Sequence, residues 1–109
     1  MEQKDILHNL YHIIEARKHE SATASYSAKL LTQGREKIAQ KIGEEATELV
    51  IEAIKNDKER MISESADLLY HLCVLWHDAG IDLQAISQCL LARQKESGLE
   101  EKQNRHKLG

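Results

Sequence analysis

Apolar residues recur every three or four positions along most of this 109-residue chain. That spacing places them on one face of an α-helix, whereas a strand would require strict alternation. The predicted helices cover residues 3–18, 25–33, 35–56, 57–79 and 83–96. We therefore expect an all-α fold, an antiparallel helical bundle of about four to five helices.

Residues that start or stop helices lie between these segments. Gly34 separates the second predicted helix from the third, and Gly80 ends the fourth. Asn56 and Glu59 resemble a capping box at the start of the fourth helix. Asp82 is suited to cap the last helix, because its carboxylate can accept hydrogen bonds from free backbone N–H groups.

The fourth predicted helix carries apolar residues over more than half of its circumference, so it must be buried on more than one side. These residues are Met61, Ile62, Leu68, Leu69, Leu72, Cys73, Leu75 and Trp76. We interpret Tyr70 and Trp76 as packing in the core or against a second copy. A single short domain buries a small fraction of its surface, so the sequence predicts a homodimer.

Composition narrows the classes of function. Lys and Arg number 15 against 18 Asp and Glu, the net charge is -3, and the charges are interspersed, so no nucleic-acid partner is expected. No segment approaches membrane-spanning length, and the N-terminus lacks a signal-peptide pattern. Cys73 and Cys89 lie in apolar stretches without a CxxC spacing, which predicts buried thiols in a reducing compartment. We expect a cytoplasmic protein without a membrane partner.

Five acidic residues on two consecutive predicted helices carry the strongest chemical signal. Glu44, Glu45 and Glu48 border the apolar stripe of one helix at spacings of three and four. Glu64 and Asp67 are three apart on the next helix, within a surface that is otherwise apolar. If the two helices pack antiparallel across their short connection, the carboxylates converge. The alternative is a solvated acidic face, the usual fate of glutamates on a helix.

Converging carboxylates repel one another and lose hydration, which costs several kcal/mol unless a cation neutralises them. The ligands would all be hard oxygens without a thiolate, and such a set favours Mg²⁺, with Mn²⁺ as a substitute. A metal ion held in this way can bridge phosphate oxygens and activate a water molecule. The pattern therefore indicates phosphoanhydride chemistry.

The acidic pattern stands in the sequence as EEATE, from Glu44 to Glu48, and ESAD, from Glu64 to Asp67. It resembles the EExxE and ExxD motifs of the MazG-like all-α nucleoside triphosphate pyrophosphohydrolases. Within that superfamily the chain resembles the phosphoribosyl-ATP pyrophosphohydrolase family over nearly its whole length, in the segments LYHIIEARK, SYSAKLLTQG, KIAQKIGEEATELVIEA, ESADLLYHLCVLW and SGLEEKQNR. Two departures are visible: ESATA stands where relatives often have Pro and Gly, and Ser27 stands where Thr is usual.

The resemblance implies a MazG-like dimeric fold and hydrolysis of 1-(5-phosphoribosyl)-ATP to the corresponding AMP and pyrophosphate. That reaction is the second step of histidine biosynthesis, and the family uses Mg²⁺. The resemblance further implies that Glu45, Glu48, Glu64 and Asp67 are the metal ligands. Glu44 becomes a further catalytic acid, which holds a second ion or orients water. The expected step is attack of a metal-activated water on the bond between the α and β phosphates.

The candidates for binding this nucleotide substrate are Ser25, Tyr26, Ser27, Lys29, Lys41, His71, Arg93, Lys102 and Arg105. Ser25 and Ser27 lie at a helix start, where free N–H groups favour phosphate, although Ser25 could equally be a simple N-cap. Lys41 could pair with a phosphate or merely balance an acid. His71 could orient a ligand, touch the substrate or be a satisfied interior histidine. The three cations nearest the C-terminus could contact the extra phosphates or be solvated.

Two other functions fit parts of the sequence. A house-cleaning pyrophosphatase for ordinary or damaged dNTPs would share the metal site, but it is not expected to share the SYSAKLL and SGLEEKQNR segments. A non-catalytic helical dimer could present the acidic surface to a partner protein. Such a dimer would tolerate the loss of Asp67.

Overall fold

A computed structural model describes residues 5–22 and 25–95 of the chain as five helices. They are α1 (Ile6–Arg17), α2 (Tyr26–Gln33), α3 (Arg35–Lys55), α4 (Lys58–Ala79) and α5 (Leu83–Gln94). No strand occurs in the described ranges, and the prediction of an all-α fold is confirmed. The predicted starting residue of the first helix and the final residue of the last lie outside those ranges. None of the described helices is both long and apolar enough to span a membrane.

Residues with a left-handed backbone end three of the helices. Gly34 follows α2 with φ of 97° and Gly80 follows α4 with φ of 70°, as the sequence predicts. Asn56 has φ of 60° and ends α3, its N–H bonding to the carbonyls of the last turn. Asparagine tolerates this conformation better than other residues with a Cβ.

The start of α4 corrects the sequence prediction. The residue that caps α4 is Asp57, whose carboxylate accepts a hydrogen bond from the N–H of Arg60 at 3.2 Å. Asn56 cannot serve this purpose because its left-handed backbone already terminates the preceding helix. The cap predicted for α5 is confirmed, since the Asp82 carboxylate accepts from the N–H of Gln84 at 3.0 Å.

An antiparallel hairpin of α3 and α4 forms the main body of the fold, and α1 and α2 pack across one end of it. The two residues between α3 and α4 leave room only for a tight reversal. Ile14, Leu30, Ile38, Cys73 and Val74 make the buried core where the four helices meet. The free energy gained there fixes α3 against α4 and so sets the relative position of their polar edges.

Several apolar residues outside this core remain exposed in the single chain. Ile62 is 71% exposed and Leu69 is 40% exposed, so the single chain by itself covers only part of the apolar circumference predicted for α4. The physical reason is length: α1 spans about 18 Å and α4 about 33 Å, so α1 covers Cys73 but cannot reach those two residues. Leu69 lies four residues and Ile62 eleven residues before Cys73, so all three share one face of the helix.

Helix α5 contributes no residue to the core. Leu90 and Leu91 on it are each 57% exposed. Cys89 is exposed as well, which corrects the prediction that both thiols are buried. The helix has an apolar stripe but packs little against the rest of the described chain, and a stripe alone does not determine what covers it.

Candidate functional site

Three of the predicted acidic residues meet at the seam between α3 and α4. Carboxylate oxygens of Glu45, Glu48 and Glu64 all lie within 4.8 Å of one another. The three-residue spacing of the first two aims both side chains at the same edge of α3. The antiparallel hairpin then brings Glu64 of α4 opposite them. We call these three residues the carboxylate cluster.

Mutual repulsion within the carboxylate cluster is visible in its pKa values. The pKa of Glu48 lies above its usual range, mainly because it shares a hydrogen bond with Glu64 and faces that group's charge. For Glu64, the hydrogen bond with Glu48 lowers the pKa. The bond with Glu45, the loss of hydration and the charges of Glu45 and Asp67 outweigh it, so the pKa of Glu64 is also raised. Both groups therefore hold protons more tightly in the fold than in free solution.

The cluster also contains oxygens that the protein itself leaves unsatisfied. One carboxylate oxygen of Glu45 and one of Glu64 are buried without a hydrogen-bond partner. Buried polar atoms normally have partners, and their absence here calls for an explanation such as a bound ion. Three convergent hard-oxygen donors, two of them with orphaned oxygens, fit a divalent cation of the Mg²⁺ type.

The other two predicted acids lie beside the cluster and not within it. The carboxylate of Asp67 is outside the group of mutually close oxygens, although its charge contributes to the raised pKa of Glu48. Glu44 accepts a hydrogen bond from Gln40 at 2.9 Å and lies 3.7 Å from the amino group of Lys41. The Gln40 bond is the main reason that the pKa of Glu44 is lowered. Lys41 thus lies close enough to Glu44 to balance its charge, and the predicted role of Lys41 toward a phosphate stays a prediction.

Two residues that the sequence analysis did not select lie next to the cluster. Glu52 and Arg60 line a cavity of about 220 Å³ together with Ile51, Glu48 and Glu64. The Glu52 side chain is 7% exposed, and its carboxylate lies 3.9 Å from the Arg60 guanidinium. The continued four-residue spacing after Glu48 was the available signal, because it keeps Glu52 on the same edge of α3.

The first turn of α2 contacts α4 one turn beyond Asp67. Ser25 is the N-cap of α2, its hydroxyl accepting from the Ala28 N–H at 3.3 Å. The buried hydroxyl of Ser27 bonds to the hydroxyl of Tyr70. The hydroxyl of Tyr26 lies 3.1 Å from Nε2 of His71, and the ring of Tyr26 is half exposed. Both serine hydroxyls are thus engaged within the protein.

The remaining predicted binding residues are cations. Lys29 is exposed on α2 and Arg93 is exposed near the end of α5. Because α5 packs little against α3 and α4, the described structure does not bring Arg93 to the carboxylate cluster. Lys102 and Arg105 lie outside the described residues.

A larger open groove, about 1000 Å³ in volume, lies on another side of the molecule. It runs between α1, the end of α4 and the start of α5, and it contains none of the clustered carboxylates. Tyr11 and His77 stack within it, and His77 bonds to the Tyr11 carbonyl at 2.7 Å. Size alone would favour this groove, but the convergent acids, with the raised pKa values of Glu48 and Glu64, make the smaller site the candidate for the chemistry.

The chain is similar over most of its length to proteins of one named family. A family model for phosphoribosyl-ATP pyrophosphohydrolase matches residues 7–94. The chain is 53% identical over 100 residues to a phosphoribosyl-ATP pyrophosphatase of Azospirillum brasilense, covering 92% of this chain and 90% of that protein. Proteins of the same name from Gluconobacter oxydans and Paramagnetospirillum magneticum are 43% and 47% identical. These two matches cover 98% and 94% of this chain, and 80% and 94% of the relatives.

Proposed function

The chain belongs to the phosphoribosyl-ATP pyrophosphohydrolase family, and from this premise we propose how its carboxylate cluster acts on that substrate. It is a hydrolase that converts 1-(5-phosphoribosyl)-ATP to the corresponding AMP and pyrophosphate in histidine biosynthesis. The observation that carries the proposal is the convergence of three carboxylates from two helices, with two buried oxygens lacking partners.

The cofactor that we propose is Mg²⁺, with Mn²⁺ as a substitute, held by Glu45, Glu48 and Glu64. Asp67 lies one turn after Glu64 on α4 and completes the ligand set when its side chain turns toward the cluster. When bound, the metal supplies a Lewis acid for phosphate oxygens and lowers the pKa of a coordinated water. Hard oxygen donors that leave open coordination positions suit this ion.

The protein's own groups then have separate tasks at the seam. The carboxylate cluster would hold the metal ion at the seam of α3 and α4, and the positive charge of that ion would attract the phosphates, which the carboxylates alone repel. Glu44, which is exposed and has a lowered pKa, remains ionised and can orient water at the border. Lys41 and Lys29 supply positive charge on the side of α2 and α3, where the triphosphate would enter. Ser25 supports this side as the cap of α2.

The three C-terminal cations, Arg93, Lys102 and Arg105, are proposed to contact the additional phosphates of the phosphoribosyl nucleotide. Guanidinium groups bind phosphate in a bidentate fashion, and lysine acts as a point charge. Arg93 lies apart from the carboxylate cluster of its own chain, because α5 packs little against α3 and α4. A contact between Arg93 and the substrate would therefore require α5 to meet the cluster of another chain. A second copy of the chain could offer such a site.

We propose that the protein is a homodimer and that it works in the cytoplasm. The uncovered apolar face of α4 at Ile62 and Leu69, and the uncovered face of α5 at Leu90 and Leu91, support the dimer. Exposed apolar faces on a protein often mark interfaces with other proteins. The cytoplasmic location is supported by the family's place in amino-acid biosynthesis and by the free thiols.

A turnover assay that compares 1-(5-phosphoribosyl)-ATP with a panel of dNTPs tests the substrate. We expect the phosphoribosyl nucleotide to be hydrolysed fastest, with pyrophosphate as a product and with activity lost when EDTA removes the metal. Faster hydrolysis of any dNTP would identify a house-cleaning enzyme instead. Asp67→Ala should abolish pyrophosphate release with the fold intact, and full activity in that variant would count against the metal site.

A further inference from the structure

The hydrogen bonds around His71 determine its tautomer. Nδ1 of His71 lies 2.8 Å from the backbone carbonyl oxygen of Asp67. A carbonyl oxygen can only accept, so Nδ1 carries the proton and donates it. In the neutral form of this tautomer Nε2 has a lone pair and is an acceptor, and the hydroxyl of Tyr26, 3.1 Å away, donates to it.

This bond crosses between two helices that are far apart in sequence. Tyr26 begins α2 and His71 belongs to the second half of α4, 45 positions later in the sequence. His71 is 5% exposed, so water has little access to its acceptor atom while Tyr26 is in place. The Tyr26 ring packs edge-on against the imidazole and stacks on Tyr70. The adjacent bond between Ser27 and Tyr70 holds the same turn of α2 in place.

The pair lies directly beside the proposed metal site. His71 bonds to the backbone of Asp67, and the charges of Glu45 and Asp67 act on the Tyr26 hydroxyl. The Tyr26 oxygen uses its one proton on His71, and the His71 ring uses both nitrogens within the protein. Neither group has a donor left for a phosphate, and this argues against the direct contact that the sequence predicts for each.

We propose that Tyr26 and His71 are a positioning pair, in which His71 holds the Tyr26 hydroxyl and thereby fixes the first turn of α2 beside the carboxylate cluster. The proposal rests on the function given above and assigns these two residues a shared task within it. A misplaced α2 would move Lys29 and the free N–H groups of its first turn away from the phosphates. Small displacements of such groups cost large factors in rate.

Conservative variants separate this task from direct substrate contact. Tyr26→Phe removes the hydroxyl, and His71→Asn keeps a donor near Nδ1 but loses the acceptor at Nε2. His71→Gln instead places an amide oxygen near the position of Nε2. We expect the first two variants each to lower kcat/KM about tenfold, corresponding to one lost hydrogen bond to a buried group.

The double variant Tyr26→Phe/His71→Asn should lose no more activity than either single variant, because all three lack the same bond. His71→Gln should remain within about threefold of the parent protein. Losses that multiply in the double variant, or a Gln variant as weak as the Asn variant, would overturn the proposal. Either result would mean that the two side chains act separately on the substrate.

The same comparison of two single variants with the double variant, a double-mutant cycle, can be made without substrate by thermal unfolding of the ligand-free protein. We expect the unfolding midpoint to fall by a similar amount in both single variants and by no further amount in the double variant. Additive shifts would refute the pair even if turnover is normal. If the parent protein does not hydrolyse the phosphoribosyl nucleotide, the proposed function fails while the unfolding cycle still decides about the pair.

A matched control exists on the opposite side of the fold. The Tyr11 hydroxyl donates to the carbonyl of Ile81 at 2.8 Å, a similar bond away from the carboxylate cluster. Tyr11→Phe should lower the unfolding midpoint but leave kcat and KM unchanged. If Tyr11→Phe loses as much kcat/KM as Tyr26→Phe does, general destabilisation explains the loss in both variants. That result would contradict the positioning role of Tyr26.

Discussion

Replacing Ile62 with alanine should weaken the proposed homodimer far more than it weakens the folded chain. Ile62 is 71% exposed in the single chain, on the face of α4 that α1 leaves uncovered. Complete burial of an isoleucine side chain stabilises by about 1.5–3 kcal/mol, so covering the exposed part is worth about 1–2 kcal/mol. A two-fold symmetric interface contains the residue twice, which gives about 2–4 kcal/mol for the dimer.

That free energy corresponds to a dissociation constant raised roughly 30-fold to 1000-fold in Ile62→Ala. Sedimentation velocity over a range of protein concentrations measures the constant directly. Ser63→Ala, an exposed neighbour on α4, is the control and should leave dissociation unchanged. A parent protein that is monomeric at micromolar concentration, or an Ile62→Ala variant that dimerises as tightly as the parent, would refute the reasoning.

Three further predictions concern charge, thiols and capping. Without metal, Glu64→Gln should unfold at a higher temperature than the parent at pH 7, because folding raises the pKa of Glu64. The Glu64 carboxyl makes its full contribution to stability below the ordinary glutamate pKa of about 4.3, where it is protonated in both the folded and the unfolded chain. That contribution is lost as the pH rises through the higher pKa of the folded protein. Calorimetry should therefore find that the difference in unfolding temperature between Glu64→Gln and the parent vanishes in acid. A difference that grows in acid would contradict this sign. An aromatic disulfide reagent should modify Cys89 in the folded protein, whereas Cys73 should react only after unfolding, since burial raises its pKa to about 11. Fast modification that persists in Cys89→Ser would be inconsistent with this burial. Asp57→Ala should lower stability by about 1 kcal/mol, while Asn56→Gly should be neutral or stabilising, and thermal melts in which the two effects are reversed would restore Asn56 as the cap.

The features predicted correctly from sequence are those that depend on local spacing. Ile38, from the apolar stripe of α3, is buried in the core, because apolar side chains gain free energy when they are removed from water, whereas Val50 further along the same helix remains 56% exposed. Glu45, Glu48 and Glu64 converge as predicted, since their spacing on each helix and the short turn between the helices leave little freedom. Ser25 caps α2 because its hydroxyl can replace a missing backbone acceptor.

The features that the sequence did not predict depend on contacts between distant segments of the chain, or on which of two adjacent residues caps a helix. Asn56 and Asp57 can both cap a helix, and only the backbone angle of Asn56 decides between them. The exposure of Cys89 depends on what packs against α5, which no local pattern encodes. The bond from Tyr26 to His71 joins positions 45 residues apart, and neither residue's own neighbours indicate it.

The most direct test of the metal site is anomalous diffraction from crystals soaked in Mn²⁺. We expect a strong anomalous peak between the carboxylates of Glu45, Glu48 and Glu64. The peak should lie about 2.2 Å from the carboxylate oxygens that bind the ion. The same peak should be missing in Glu64→Gln. A fully soaked crystal with no peak at this seam, or with its peak at another group of residues, would contradict the account.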